Sequence, residues 1–257
     1  HYPDNFLNET LSKSAALLPD ASFSNTYVSV SGIGSSKPFS ALMADGVPNY
    51  HFVDTGQCFS LYYFEESDGK YVKKDAITDE TLKKFQSKYT DKNITKEDIF
   101  YYVYGILHSP EYRKKYESSL KKMLPRIPFV KDFIGFSKSG RELAKWHLNY
   151  ETVEPFPLTE ETKELNLNPK KDFRVTQMKF PKKGEKSSVI FNGNITLTGI
   201  PPETYEYIVN GKPAIEWVME RYAVDTDKDS GITNDPNDWS DDPRYILDLV
   251  KRVVRVS

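Results

Sequence analysis

Sixteen residues, Val224 to Trp239, read VDTDKDSGITNDPNDW and carry five aspartates, the residue type a hard divalent cation prefers. Asp225, Asp227 and Asp229 fall on alternate positions, as the first three ligands of a calcium loop do. That loop also needs glycine at position six and a bidentate glutamate at position twelve. Here position six is Ser230, Gly231 comes one residue late, and position twelve is Pro236, which has no side-chain oxygen. Asp, Asn, Gly and Pro each favour turns for local reasons, so the stretch reads as a turn-rich surface segment. A metal-dependent hydrolase fragment using the three aspartates is the alternative.

Other catalytic patterns fail on similar grounds. In SGIGSSKPFS, Ser31 to Ser40, closely spaced glycines let backbone N–H groups approach an anion, but a nucleotide loop needs GxxxxGK[ST], and Lys37 follows two serines. Pro38 and Phe39 do not open the helix that would hold a phosphate. As a contact to another polyanion, the Ser36–Lys37 loop is well suited. His1, His51, His108 and His147 are scattered without metal-site spacing, and Cys58 lacks the constellation of a nucleophile. GxSxG is absent. No catalysis is expected, and no cofactor.

Charge points elsewhere. The net charge is only -2, but Pro110 to Lys145 holds ten Lys or Arg against four acids, Pro169 to Lys186 seven against two, and Pro201 to Asp248 four against twelve. A polyanion feels the local distribution rather than the total. The first basic block offers Arg113, Lys114, Lys121, Lys122, Arg126, Lys131, Lys138 and Arg141; the second offers Lys179, Lys182, Lys183 and Lys186. Such cations release counterions on docking to a phosphate backbone. Arg can also hold a guanine edge, and Asn or Gln an adenine edge, each pair worth about 1–3 kcal/mol of discrimination. Arg174, Gln177, Asn192 and Asn194 are residues of that kind; turn chemistry in NGN and ordinary strand polarity are the plainer account of them. Arg126 and Lys37 each stand beside a proline that stiffens the backbone. A protein-interaction module docking through its acidic C-terminal third is the third reading.

The elements that must carry these residues follow from periodicity. With 257 residues, 38% of them hydrophobic and 14% aromatic, the chain can build a sizeable core. Tyr27, Val28, Val30 and the run Phe59 to Glu66 predict strands. Thr95 and Asp98 form a capping-box pattern before Ile99, Val103, Ile106 and Leu107, and Ser109-Pro110 opens a second helix that Pro125 stops, giving a helical hairpin. A third helix spans Val130 to Leu148, with Gly140 as a weak point. FRVTQMKF and SSVIFNGNITLTGI flank PKKGEK and predict a β-hairpin with a basic tip at Gly184. Lys212-Pro213 and Asp242-Pro243 open the last two helices. The fold class is α+β, with mixed β-sheet segments at both ends of the chain flanking a central helical bundle or hairpin.

No apolar run approaches the ~20 residues that span a bilayer, and the N-terminus lacks a signal peptide. No membrane partner is expected. One cysteine suits a reducing, cytoplasmic location, so the sequons at Asn8, Asn93 and Asn194 read as chance, and a start at His1 without methionine suggests a segment of a longer protein.

Four blocks carry a resemblance: VSVSGIGSSKPFSALMADGVPNYHFVDTGQCFSLYYF, FYYVYGILHSPEYRKKYESSLKKMLPRIPFV, ELAKWHLNYE, and NITLTGIPPETYEYIVNGKPAIEWVMERYAVDTDKDSGITNDPNDW. In order and over most of the chain, they resemble the C-terminal target recognition (specificity) domain of Type ISP restriction-modification enzymes. The resemblance implies a single polypeptide with a nuclease, an ATP-driven translocase, an N6-adenine methyltransferase and, last, this domain. It implies double-stranded DNA and the methyltransferase domain of the same polypeptide as partners, with ATP, Mg2+ and S-adenosylmethionine used by the parent enzyme and none in this domain. NPPY-type, Walker and nuclease motifs are absent, and Asn234-Asp235-Pro236-Asn237 is no substitute. The expectation is a non-catalytic recognition domain over residues 1–257, comprising a β-rich part (1–70), a helical part (78–150) and a β-hairpin with C-terminal helices (170–257). The aspartate-rich stretch would then pack against the rest of the domain or the methyltransferase.

Overall fold

After a short helical turn, α1 (Ser14–Leu17), the β-branched run of β1 (Tyr27–Val30) becomes the middle strand of an antiparallel sheet ordered β2-β1-β3, with β2 at Ala41–Ala44 and β3 at Gln57–Ser60. Tyr27 faces Ala44 and Ser60, and Val30 faces Ala41 and Gln57. Every residue of β1 is buried, as a central strand covered on both faces requires. The computed structural model describes residues 14–257, so His1 and Asn8 lie outside the described residues. The chain divides into two compact units, the first ending at Leu148 and the second spanning Asn149–Ser257; its class is α+β.

In the first unit, β4 (Tyr62–Ser67) and β5 (Lys70–Asp75) form a hairpin. Asp68 and Gly69 turn it, with φ of 52° and 71°, the left-handed pair of a two-residue loop whose twist matches the strands. Helix α2 (Asp79–Tyr89) is capped by Thr78, whose side chain accepts from the Thr81 N–H. Helix α3 (Lys96–His108) carries the complete Thr95/Asp98 capping box, and α4 (Pro110–Leu120) starts at Ser109 with Pro110 in its first turn.

The principal partner of α3 is α5 (Phe133–Leu148), rather than the α4 of a simple hairpin. Gly140 corrects its reading as a weak point. A Cβ there would stand 1.9 Å from the Tyr101 carbonyl oxygen, and one at Gly105 would stand 2.4 Å from that of Phe136. The two glycines let the backbones touch, and Arg141 next to them ties the crossing through Glu97 (2.7 Å) and Asp98 (3.2 Å). Around this contact Phe85, Tyr102 and Phe133 pack ring against ring, 4.9–5.7 Å between centroids, a geometry that adds about 0.5–1.5 kcal/mol per pair beyond burial.

The second unit is built on a sheet ordered β6-β8-β7, from β6 (Thr159–Thr162), β7 (Ser188–Ile190) and β8 (Ile195–Thr198). Between β6 and β7 lies the short α6 (Pro169–Asp172). The expected hairpin across Gly184 is reduced to a single bridge, Lys179 to Ile190. On its other edge Ile190 pairs with Thr196 in a tighter hairpin around Gly193, whose turn Asn192 caps with its own side chain. Its Oδ1 accepts from the Asn194 and Ile195 N–H groups, both at 2.8 Å.

A small hairpin, β9 (Ile208–Val209) with β10 (Lys212–Pro213), leads into α7 (Ala214–Arg221). A second, β11 (Asp225–Thr226) with β12 (Thr233–Asn234), is the aspartate-rich stretch itself. Helix α8 (Tyr245–Val256) buries Ile246, Leu247, Leu249, Val250, Val253 and Val254 along one face, at about 1.5–3 kcal/mol for each fully buried side chain. Its other face grips the proline-containing stretch VEPFPLTE, residues 153–160: Arg252 Nε donates to Val153 O (3.0 Å), Arg255 Nε to Glu154 O (3.2 Å), and Lys251 pairs with Glu160 at 2.8 Å.

Candidate nucleic-acid interface

Leaving β1, the chain makes the Ser31–Ser40 loop, whose exposed Ser36 and Lys37 are sequence-predicted contacts. Asp54, from the loop before β3, holds it. Its Oδ2 accepts from the Ser35 hydroxyl at 2.7 Å and the Ser36 N–H at 2.9 Å. The Ser35 hydrogen bond lowers the Asp54 carboxyl below its ordinary range, so a charged carboxylate fixes the loop at neutral pH. Sequence reasoning missed Asp54 because it lies far from the serines along the chain, and only the β1–β3 pairing brings it near.

Arg126 lies in the segment between α4 and α5, with an exposed side chain, while its carbonyl accepts from the Tyr112 hydroxyl at 3.0 Å. Lys138 is exposed on α5. Other cations of the first basic block are committed within the unit. Arg113 Nε donates to Leu107 O at 2.6 Å, Arg141 joins α3 to α5, and Lys121 pairs with Glu117 at 3.0 Å. Lys114, Lys122, Arg126, Lys131 and Lys138 make no ion pair among the described residues.

In the second unit three predicted base readers converge on one internal network. Arg174 pairs with Asp235 (2.7 Å) and Asp238 (3.3 Å). Asn192 Nδ2 donates to the Asp172 and Arg174 carbonyls at 2.7 and 2.9 Å, and Asn194 Nδ2 to Asp172 Oδ1 at 3.0 Å. Burial works to raise Asp235, but hydrogen bonds from Asn237 and the Arg174 charge outweigh it and leave the carboxyl lowered. Asn237 reaches the residue next to Arg174, accepting from Val175 N–H and donating to Val175 O, both at 2.8 Å. The acidic stretch thus packs against the body of its own unit. Gln177, Lys179, Lys182 and Lys183 are exposed, and Lys186 pairs with Glu216 at 2.7 Å.

The three alternating aspartates do not assemble a cation site. Asp227 Oδ1 accepts from the Ser230 N–H and hydroxyl, both at 2.7 Å, closing a turn. Among the described residues, no three His, Cys, Asp or Glu side chains are grouped to hold a metal ion. Nor, among them, is any helix long and apolar enough to cross a membrane.

The chain is α+β in two units, with exposed cations on loops and helix faces, and it is similar to known structures. LlaGI, a Type ISP restriction-modification enzyme solved as a nuclease-deletion mutant in complex with a DNA substrate mimic, matches 99% of this chain at 38% identity and a TM-score of 0.82. LlaBIII, an ATP-dependent Type ISP restriction-modification enzyme bound to DNA, matches 95% at 40% identity and 0.84. The DrdV–DNA complex matches 98% at 31% identity and 0.80. The chain spans 22%, 16% and 26% of those three chains. No curated relative matches it. Residues 1–249 match the model of the Type ISP C-terminal specificity domain, and the chain belongs to that family.

Proposed function

We propose that this chain is the DNA target recognition domain of a single-polypeptide restriction-modification enzyme. Residues 1–257 form one recognition domain that binds double-stranded DNA and catalyses nothing itself. ATP, Mg2+ and S-adenosylmethionine serve other parts of the parent, whose methyltransferase domain is the second partner, in the cytoplasm. What supports the reading is the likeness of 95–99% of the chain to enzymes solved with DNA.

Within it, we assign phosphate contact to Lys138, Lys179, Lys182 and Lys183 and base reading to Ser36, Lys37, Arg126 and Gln177, a division supported by their exposure, each on its own unit. Arg174, Asn192 and Asn194 support the reading surface through the bonds described above, and reach DNA only if those bonds open. The experiment is selection of duplexes from a random pool by the intact protein. An enriched sequence motif is the expected result; retention of all sequences alike at moderate salt would defeat the proposal.

A further inference from the structure

Ile33, Tyr50 and Phe52 are 59%, 59% and 37% exposed, on a unit whose described large apolar side chains are mostly buried or half-buried. They sit on two loops with fixed roots. Gly32 N–H donates to Asp54 O (3.2 Å), Gly56 N–H to Tyr50 O (2.8 Å), and Asp54 holds Ser35 and Ser36. A Cβ on Gly32 would lie 1.8 Å from the Thr55 carbonyl oxygen, so the loops are in contact there. Fully buried Val53 pins the second loop between exposed Phe52 and Asp54. Ile33 is raised between Gly32 and Gly34, the latter at φ 85°. Lys37 on the first loop is exposed and has no ion-pair partner among the described residues.

We propose that these two latched loops read DNA bases by non-polar contact, with Ile33, Tyr50 and Phe52 as the contacting side chains and Lys37 beside them as the polar base-edge contact. The inference rests on the target-recognition reading and names a surface for it. Ile and Phe offer no hydrogen bond to a polar base edge. The non-polar features a duplex presents are the thymine C5-methyl group in the major groove and the face of a base unstacked by a wedge. Rigid roots favour both uses, since little loop entropy is then lost on contact.

The test compares the intact protein with its Ile33→Ala, Tyr50→Ala and Phe52→Ala variants in duplex selection, with thermal unfolding to confirm that each is folded. The expected result is a wild-type motif whose preference at one or two adjacent positions drops about tenfold in the variants, with the salt slope unchanged. Two arms separate the sources. Replacing thymine by uracil in the selected duplex weakens wild type but not Ile33→Ala if the methyl group is read; 2-aminopurine fluorescence rises on binding if a base is unstacked. Variants that select the wild-type motif with undiminished preference overturn the proposal and leave the recognition reading standing, including the case in which they only weaken docking to a protein partner. A wild-type protein that selects no motif sinks the recognition reading and this proposal with it.

Discussion

Asn237 and Asp227 belong to the same acidic stretch, yet one is structural and the other local. Asn237 satisfies both backbone groups of Val175, which is 1% exposed. Removing it leaves a buried donor and acceptor unpaired, which costs about 1–3 kcal/mol each at most. Asn237→Ala should therefore lower the unfolding free energy in urea by about 2 kcal/mol. Asp227→Ala opens an exposed turn and should cost under about 1 kcal/mol. Millimolar calcium should not raise the melting temperature of the wild type; a saturable rise would restore the cation-loop reading. The Arg174 and Asn237 partnerships were not legible in the sequence, and of those of Asn192 only its NGN turn was. Their residue types announce hydrogen bonding, but the partners are distant along the chain and only the fold selects them over DNA.

A second residue-scale prediction concerns the buried histidines. Burial drives His147 down from 6.5 to about 4, with the Arg113 charge adding to the effect, and burial followed by the same charge pushes His108 well below its ordinary value. The unfolded chain binds protons near pH 6.5, while the folded His147 stays neutral until about pH 4. Stability is therefore fully present above pH 6.5 and is lost as pH falls through that window. The loss assigned to His147 is on the order of 3 kcal/mol. Melting temperatures should hold from pH 7.5 to about 6.5 and fall from there to 4.5, and His147→Gln should flatten the decline even though it removes the partner of the Tyr104 hydroxyl.

At the scale of elements, what was legible is what is encoded locally. The Thr95/Asp98 box and the Ser109-Pro110 start satisfy orphan N–H groups within one turn, so the sequence alone places both helix starts. The identity of the partner helix is not local, and neither is strand register. The alternating run before Gly184 suggested a long hairpin, but across Gly184 only the Lys179–Ile190 bridge forms, while the Asn192 side chain closes a shorter turn that pairs the same strand with β8. Gly140 shows the same limit, because glycine inside a helix reads as a cost of about 1 kcal/mol until its neighbour is known. With the Tyr101 carbonyl oxygen 1.9 Å from any added Cβ, Gly140→Ala must push α5 off α3. It should cost more than about 3 kcal/mol despite the better helix propensity. Ser139→Ala, one residue earlier at an exposed position, should change stability by under about 0.5 kcal/mol. Equal effects of the two in chemical denaturation would mean that the helices do not touch at the glycines.

For the molecule as a whole, charge is sorted more finely than a count along the chain can show. Each basic block contains cations of two kinds. Arg113, Arg141 and Lys186 are bonded within their units, whereas Lys138, Lys179, Lys182 and Lys183 are exposed. Only the second kind has counterions to release, so only they contribute to the salt dependence of DNA binding. Charge reversal at Lys182 and Lys183 together should weaken binding for all sequences and reduce the slope of log affinity against log salt by up to about 1.8, near 0.9 for each phosphate no longer neutralised. Arg174→Ala is the contrasting case. Its guanidinium is held by Asp235 and Asp238, so the slope should stay unchanged, while unfolding becomes easier by up to about 1 kcal/mol, the range of a partly exposed ion pair. A slope that falls for Arg174→Ala and holds for the double reversal would invert the assignment of which cations in this block face the phosphates.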